Sequence, residues 1–213
     1  MTHFASVASV ALERAKMTRA IFLRMIRMAE MRDPKETGAH VNRVAAYSVE
    51  IYEAWAKKRK IAQAEIESKR DILRMAAMLH DVGKVAISDL ILKKPSRLNI
   101  DEFEIMKQHT ILGARLFEGR ESDFDEAAHQ VALTHHERWD GQGYPGHVDF
   151  TTGEPLPGYA LPGGLASGKK GEEIPLFGRI VALADVYDAL SSERVYKDAW
   201  QESKILRTIH DGS

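Results

Sequence analysis

The sequence predicts an all-helical domain, on three observations. Apolar residues recur at three- and four-residue spacing along most of the chain, and alternating patterns of the strand type are scarce. The chain has 213 residues, of which 44% are hydrophobic and 29% are charged. This length and balance are typical of one globular domain that buries roughly 70% of its unfolded surface.

The first half of the chain predicts three helices. The first covers about residues 5–32, and its amphipathic pattern suits a domain edge or an interdomain lead-in. The second begins at Asp33, with a proline in its first helical position and Glu36 three residues beyond the cap. The third runs towards His80, and Gly83 is expected to end it.

The second half predicts four helices around a long surface loop. Asn99, with Glu102 three residues later, begins a helix of about residues 100–118. Nine of the fifteen glycines lie between Gly141 and Gly171, which predicts a loop of the length that is often functional. The other helices are expected over about residues 122–136, 175–190 and 198–210.

Composition excludes several classes of function. Thirty Lys and Arg against thirty-one Asp and Glu give a formal net charge of -1, so no bulk positive field is present to hold duplex nucleic acid. No uncharged apolar run approaches the ~18 residues of a membrane span, so we expect a soluble, cytoplasmic protein. Because the chain has no cysteine, any metal must be held by histidine and carboxylate side chains.

Ligand-type side chains repeatedly lie within apolar helix faces. Glu36 and His40 are four residues apart, so both can reach one ion from a single helix face. A carboxylate such as Asp185, set among apolar residues, implies pairing or metal coordination, since an unpaired buried charge is costly. The other candidates of this kind are His80, Asp81, His109, His135 and His136.

Five motifs carry these candidates. They are Glu-Thr-Gly-Ala-His (36–40) with Arg43, His-Asp-Val-Gly-Lys (80–84), Lys-Gln-His (107–109), His-His-Glu-Arg-Trp-Asp-Gly-Gln-Gly-Tyr-Pro (135–145) and Arg-Ile-Val-Ala-Leu-Ala-Asp-Val-Tyr-Asp-Ala-Leu (179–190). In order and spacing, over nearly the whole chain, they resemble the HD-GYP domains, a bacterial subgroup of the HD metal-dependent phosphohydrolase superfamily.

The resemblance implies an HD-type helical bundle with a long Gly/Pro-rich loop after the Gly-Tyr-Pro motif. It implies a lead-in over residues 1–32 and a catalytic domain over 33–213. It also implies a phosphodiesterase that linearises cyclic di-GMP to pGpG, in some cases continuing to GMP, with an iron or manganese cluster. The implied metal ligands are Glu36, His40, His80, Asp81, His109, His135, His136 and Asp185.

Donor counting independently favours a cluster of two or three divalent ions. One octahedral ion accepts six donors and must leave positions for water and substrate, so five histidines and three carboxylates imply more than one ion. Asp81 is the natural bridging carboxylate. Ions ~3.5 to 4 Å apart would share a hydroxide that attacks phosphorus and expels the ribose 3′ oxygen.

The resemblance, helix geometry and the Gly-Tyr-Pro turn together indicate residues that act on the substrate. Lys84 is expected to hold a phosphate oxygen, with a surface lysine as the alternative, and Arg194 and Lys197 to bind the second phosphate unless they are merely solvated. Asp188, one helical turn beyond a ligand carboxylate, orients water or assists the leaving group, or forms a helix-end salt bridge. Tyr144 is expected to shape the pocket.

Several alternatives stay open at this point. Glu36 binds a third ion or serves only as a capping residue. About twenty extra residues follow the Gly-Tyr-Pro motif, and this insertion (residues 146–168) either lids the pocket or contacts a partner, or is a tolerated surface extension. The chain stops where family members usually continue, so a truncated chain, a homodimer and an upstream sensor domain are all considered.

The expected partner is a cyclic dinucleotide, and two rival functions are weighed. One is a phosphodiesterase specific for cyclic GMP-AMP, because the metal ligands indicate phosphodiester hydrolysis and do not indicate which bases the substrate carries. The other is a noncatalytic cyclic di-GMP sensor, against which the complete ligand set argues.

Overall fold

The computed structural model describes residues 2–33, 38–192 and 200–211, and over these ranges the fold is all-helical, as predicted. The only extended pairings in these ranges are two isolated bridges, Val148 to Pro155 and Ala160 to Ala166. The helices are α1 (Thr2–Glu30), α2 (Gly38–Lys58), α3 (Gln63–Ala77), α4 (Asp89–Leu92), α5 (Ile100–Lys107), α6 (His109–Arg115), α7 (Asp123–Thr134), α8 (Leu176–Ser191) and α9 (Glu202–Asp211). Two 3₁₀ helices cover Val82–Ala86 and Gly171–Glu173.

Helices α2, α3, α7 and α8 pack around one apolar core. Each presents its apolar stripe inward, which is how amphipathic helices remove apolar surface from water. The fully buried members of this core include Val44, Tyr52, Leu73, Ala76, Val131, Val181 and Ala184. Helix α6 and the first 3₁₀ helix pack against each other beside this core.

Helix α1 joins the core through its C-terminal part. Ile26 is buried in the core, whereas residues 5–14 are exposed. Just after the helix, the Arg32 guanidinium donates to the backbone carbonyls of Val85 and Ile87. The end of α1 is therefore fixed against the segment that follows the His-Asp motif. None of the helices in the described ranges combines the length and apolar character needed to cross a bilayer.

The third predicted helix ends earlier than expected. It stops at Ala77, not at Gly83, and a tight turn leads to His80. The physical reason is local, because the His80 imidazole donates from Nδ1 to the Ala77 carbonyl at 2.8 Å. A side chain thus satisfies a terminal carbonyl that a continuing helix would have bonded to backbone.

The helix predicted over 100–118 divides into α5 and α6 at Gln108. Side chains again take the carbonyls: His109 Nδ1 donates to Met106 at 2.8 Å, and the Thr110 hydroxyl donates to Lys107 at 3.0 Å. Spacing of apolar residues cannot reveal this break, because both halves keep the same helical periodicity.

Other helix boundaries agree closely with the sequence. Ser122 caps α7 by accepting from the Asp125 amide at 3.1 Å, and α8 covers nearly all of the predicted 175–190 segment. The short α4 was not predicted. Two predicted helix starts lie outside the described residues. They are the start of the second helix, with Glu36, and the start of the last helix near residue 198.

The predicted cap of α5 is a complete capping box. The Asn99 side chain accepts from the Glu102 amide at 2.8 Å, and the Glu102 carboxylate accepts from the Asn99 amide at 2.8 Å. Asn99→Ala should cost about 1 kcal/mol of unfolding free energy and lower Tm by about 2–4 °C in thermal denaturation. Asn99→Asp, which still caps, is the control, and an unchanged Tm in the alanine variant would contradict the assignment.

Candidate metal centre

Two groups of ligand-type side chains lie side by side at one end of the core. In each group, one donor atom per residue lies within 4.8 Å of the donors of the others. Site A consists of Asp81, His109, His135 and His136, and site B consists of His40, His80 and Asp185. Seven of the eight predicted ligands therefore fall into two adjacent groups, and the eighth, Glu36, lies outside the described residues.

Helix ends place most of these side chains. His80 and Asp81 follow α3, His109 is the first residue of α6, and the His135-His136 pair follows α7. The two exceptions, His40 in α2 and Asp185 in α8, project from within helices.

Close backbone contact fixes the His-Asp turn against α6. A Cβ atom added at Gly83 would lie 1.9 Å from the His109 carbonyl oxygen and 2.4 Å from the Gly113 amide nitrogen. Both obstacles are backbone atoms, so only glycine fits. This contact sets how near Asp81 comes to His109.

Three of the histidines are oriented by backbone carbonyls. A carbonyl only accepts, so each Nδ1 must carry the proton, and the neutral ring then presents a lone pair on Nε2. This is the usual outer contact of a metal-binding histidine. The Nδ1 atoms of His80, His109 and His135 lie 2.8, 2.8 and 3.0 Å from the carbonyls of Ala77, Met106 and Val131.

The Nε2 atoms of these rings converge on the Asp81 carboxylate, which lies between sites A and B. Oδ2 lies 3.0 Å from His80 of site B, and Oδ1 lies 3.1 Å from His109 and 3.6 Å from His135 of site A. Oδ1 is buried and accepts no hydrogen bond from the described residues. Lone pairs that face a carboxylate are mutually repulsive without a cation, so the donor set fits bound metal ions.

Burial keeps the ligands in the protonation states that metal binding requires. It lowers the pKa of His135 and, together with the neighbouring imidazoles, holds the pKa of His136 well below its usual range. Burial alone would raise the pKa of Asp81, but the Lys84 ammonium and His80 hold that pKa well below its ordinary value. At neutral pH the His135 and His136 imidazoles are therefore neutral and the Asp81 carboxylate is ionised.

Asp188 orients site B. It is buried and accepts from His40 Nδ1 at 2.7 Å and from Arg43 Nε at 2.6 Å. His40 Nε2 is thereby directed to Asp185, 3.5 Å away. The structure thus shows a salt bridge between Asp188 and Arg43, and the predicted catalytic role of Asp188 stays a prediction.

Lys84 lies at the edge of the centre. Its ammonium lies 2.8 Å from Asp81 Oδ2 and 3.6 Å from Asp33 Oδ2. The phosphate-binding role of Lys84 stays a prediction, and its position beside the bridging carboxylate is compatible with it. The two other predicted phosphate contacts, Arg194 and Lys197, lie outside the described residues.

Tyr144 forms the wall next to site A. Its ring stacks on His136, with ring centroids 4.8 Å apart, and the Lys107 ammonium lies 5.4 Å from the ring centroid. Burial raises the pKa of the Tyr144 phenol, so its hydroxyl stays protonated. Tyr144 also lines a cavity of about 550 Å³.

Glu137 is a functional neighbour that the sequence analysis missed. This buried carboxylate accepts from the Gly146 amide at 2.6 Å and from the Lys169 amide at 3.1 Å, so it holds both ends of the insertion. Burial raises its pKa, and the two amides oppose that shift. Its partners are backbone groups 9 and 32 residues away, which no spacing of side chains reveals.

Comparisons with known proteins agree with this geometry. The profile of the HD domain family matches residues 37–190. A 3'3'-cGAMP-specific phosphodiesterase 2 of Vibrio cholerae is 38% identical over 175 residues, which are 82% of this chain and 28% of that protein. A cyclic di-GMP phosphodiesterase of Thermotoga maritima is 40% identical over 182 residues, 85% of this chain and 41% of that protein. The chain thus spans less than half the length of either relative.

A solved structure shares the fold. The HD domain of the phosphodiesterase PgpH from L. monocytogenes, in complex with cyclic di-AMP, superimposes with a TM-score of 0.50 at 17% sequence identity. The match covers 88% of this chain and 80% of that one. The predicted HD-type helical bundle is therefore confirmed.

Proposed function

The chain belongs to the HD domain family, and from that premise we propose that it is a metal-dependent phosphodiesterase that hydrolyses cyclic di-GMP to linear pGpG. The observation that carries this proposal is the convergence of three backbone-oriented imidazoles, from both sites, on the Asp81 carboxylate. Relatives named for cyclic di-GMP and for 3'3'-cGAMP support the substrate class.

The donor set favours iron or manganese. Imidazole and carboxylate ligands suit these ions, whereas structural zinc sites are usually rich in cysteine sulfur. The residues of sites A and B would hold the ions, and the Asp81 carboxylate faces both sites. When bound, such ions supply Lewis-acid chemistry that lowers the pKa of water and neutralises charge on a phosphate.

The surrounding side chains would hold and orient the substrate. Lys84 places a cation beside Asp81, where it would bind a non-bridging phosphate oxygen. Tyr144 keeps its proton and its ring covers His136, so it would exclude water from one side of site A. The Asp188 carboxylate keeps His40 in a fixed orientation.

Hydrolysis of 3'3'-cGAMP is the second candidate, because relatives of nearly equal identity are named for each substrate. Protein purified without oxygen and loaded with Mn or Fe should be incubated with each dinucleotide, and the products separated by chromatography. We expect linear pGpG from cyclic di-GMP at the higher kcat/KM. Nucleotide binding without any linear product would contradict the proposal and support a sensor.

A further inference from the structure

The insertion (residues 146–168) is folded and packs against the body of the domain. Two small hairpins build it, closed by bonds from the Leu156 amide to the His147 carbonyl at 2.8 Å and from the Ser167 amide to the Tyr159 carbonyl at 2.8 Å. The two ends are joined by the His147 amide, which donates to the Ser167 carbonyl at 2.9 Å. With Glu137 holding both ends, the insertion has a fixed position relative to His136.

The first hairpin is docked on the body of the domain. The Phe150 ring packs edge-on against His129, with centroids 4.6 Å apart, and the Phe150 carbonyl accepts from Arg115 Nε at 2.8 Å. His129 is itself fixed, because its Nδ1 donates to the Ala114 carbonyl at 3.1 Å. These contacts use a histidine that the metal centre does not need, and they hold the hairpin beside α6.

The cavity beside Tyr144 lies between this hairpin pair and α5–α6. Its volume, about 550 Å³, is in the usual range for small-ligand sites. Its walls combine apolar side chains with charged and amide groups in nearly equal measure. The apolar lining includes Ile111, Leu112, Val148, Pro155 and Leu165, and the polar lining includes Glu104, Lys107, Gln108, Arg115 and Glu154.

We propose that this cavity is the subsite for one guanine base of the substrate, and that Glu154 selects guanine over adenine. The inference rests on the proposed function and adds the part of the chain that reads the base. Tyr144 joins the two regions, since its ring stacks on His136 and also lines the cavity. A phosphate held at the metal centre would therefore place its attached nucleoside in the cavity.

The chemistry of the cavity suits a purine. A flat base packs between apolar walls such as Ile111 and Leu165, while Lys107 stands near the side that faces the centre. Glu104 is engaged by Lys107 at 2.6 Å, whereas Glu154 is exposed at the cavity and its carboxylate makes no hydrogen bond or ion pair with any described residue. Glu154 is thus the acceptor that a ligand would use.

A carboxylate discriminates between the two purines by donor count. It only accepts hydrogen bonds, and guanine presents donors at N1 and at the exocyclic N2 amine on one edge, whereas adenine presents an amine beside the lone pair of N1. Guanine therefore pairs with a carboxylate twice, and adenine brings a lone pair against it. The carboxylate therefore discriminates both by its two hydrogen bonds to guanine and by the unfavourable contact with the adenine N1 lone pair.

Glu154→Gln is the direct test, with cyclic di-GMP and cyclic di-AMP as substrates of the metal-loaded chain. The ratio of kcat/KM for the two should fall about tenfold, the size of one lost hydrogen bond to a charged acceptor. Glu118→Gln, an exposed glutamate on the segment after α6 and outside the cavity, is the matched control and should keep the wild-type ratio.

A second variant tests the cavity without changing a charge. Leu165 is 58% exposed, so Leu165→Trp should leave the fold intact and fill the cavity. Bis(p-nitrophenyl) phosphate, which has no base, serves as the reference substrate. The kcat/KM for cyclic di-GMP relative to this reference should fall about tenfold, through KM.

The two proposals can fail separately. If the wild-type chain cleaves both substrates and neither variant changes a ratio, the base subsite is wrong and the phosphodiesterase proposal stands. If the wild-type chain cleaves neither, the phosphodiesterase proposal fails, and the cavity is then judged by equilibrium binding of cyclic di-GMP. An unchanged Kd in Leu165→Trp would overturn the subsite, and a tenfold weaker Kd would support it.

Discussion

Replacing His80 and Asp81 together by alanine should reduce kcat/KM for cyclic di-GMP by at least about 10³-fold. Several kcal/mol of transition-state stabilisation come from metal ions in such sites, and each 1.36 kcal/mol is a factor of about ten in rate. The double variant removes the carboxylate that faces both sites and one imidazole of site B. Metal content should fall with activity, because neither site keeps its full donor set.

The fold should survive this double substitution. Both residues lie in a turn after α3, and the apolar core around Leu73 and Val131 is unchanged. Circular dichroism should show wild-type helix content. Asp71→Ala, an exposed aspartate on α3, is the control and should retain metal and activity. Full turnover by the double variant would refute the metal mechanism.

Asp188→Ala should destabilise the protein and weaken site B. The carboxylate is buried and accepts from His40 and from the partly exposed Arg43, so its removal leaves two donors without their acceptor, which costs about 2 kcal/mol. For a chain of this size the corresponding fall in Tm is about 4–8 °C. Loss of an outer partner typically weakens metal affinity about 10–100-fold.

Readouts beyond stability separate a positioning role from a purely structural one. Titration of metal into the Asp188→Ala variant should show one site weakened and the other retained, because site A does not contact Asp188. Asp188→Asn, which keeps an acceptor oxygen for His40, should recover part of the lost affinity. Equal weakening of both sites would contradict the assignment of Asp188 to site B.

The donor residues could be predicted from the sequence because their chemistry is unusual for their positions. His40 and Asp185 stand out as polar groups on apolar helix faces, and Asp81 as one half of a His-Asp pair. The order and spacing of the motifs then indicate that these donor side chains lie close together in the fold. The structure adds which atoms face one another, namely three Nε2 atoms around one carboxylate.

Other features could not be predicted because they depend on contacts with backbone. At the helix break at Gln108, the His109 and Thr110 side chains donate hydrogen bonds to backbone carbonyls. The spacing of apolar residues does not reveal these bonds. The anchor role of Glu137 depends on two amides far along the chain. The sequence could not decide whether Asp188 forms an ion pair or acts on the substrate, because its position on the helix face fits both roles.

The central claim is that two metal ions lie side by side with Asp81 between them. Anomalous diffraction from crystals of the anaerobically purified, Mn- or Fe-loaded chain tests it most directly. We expect two adjacent peaks ~3.5 to 4 Å apart, one next to His109 and His136 and one next to His40 and Asp185. A single peak, or peaks remote from Asp81, would contradict the claim.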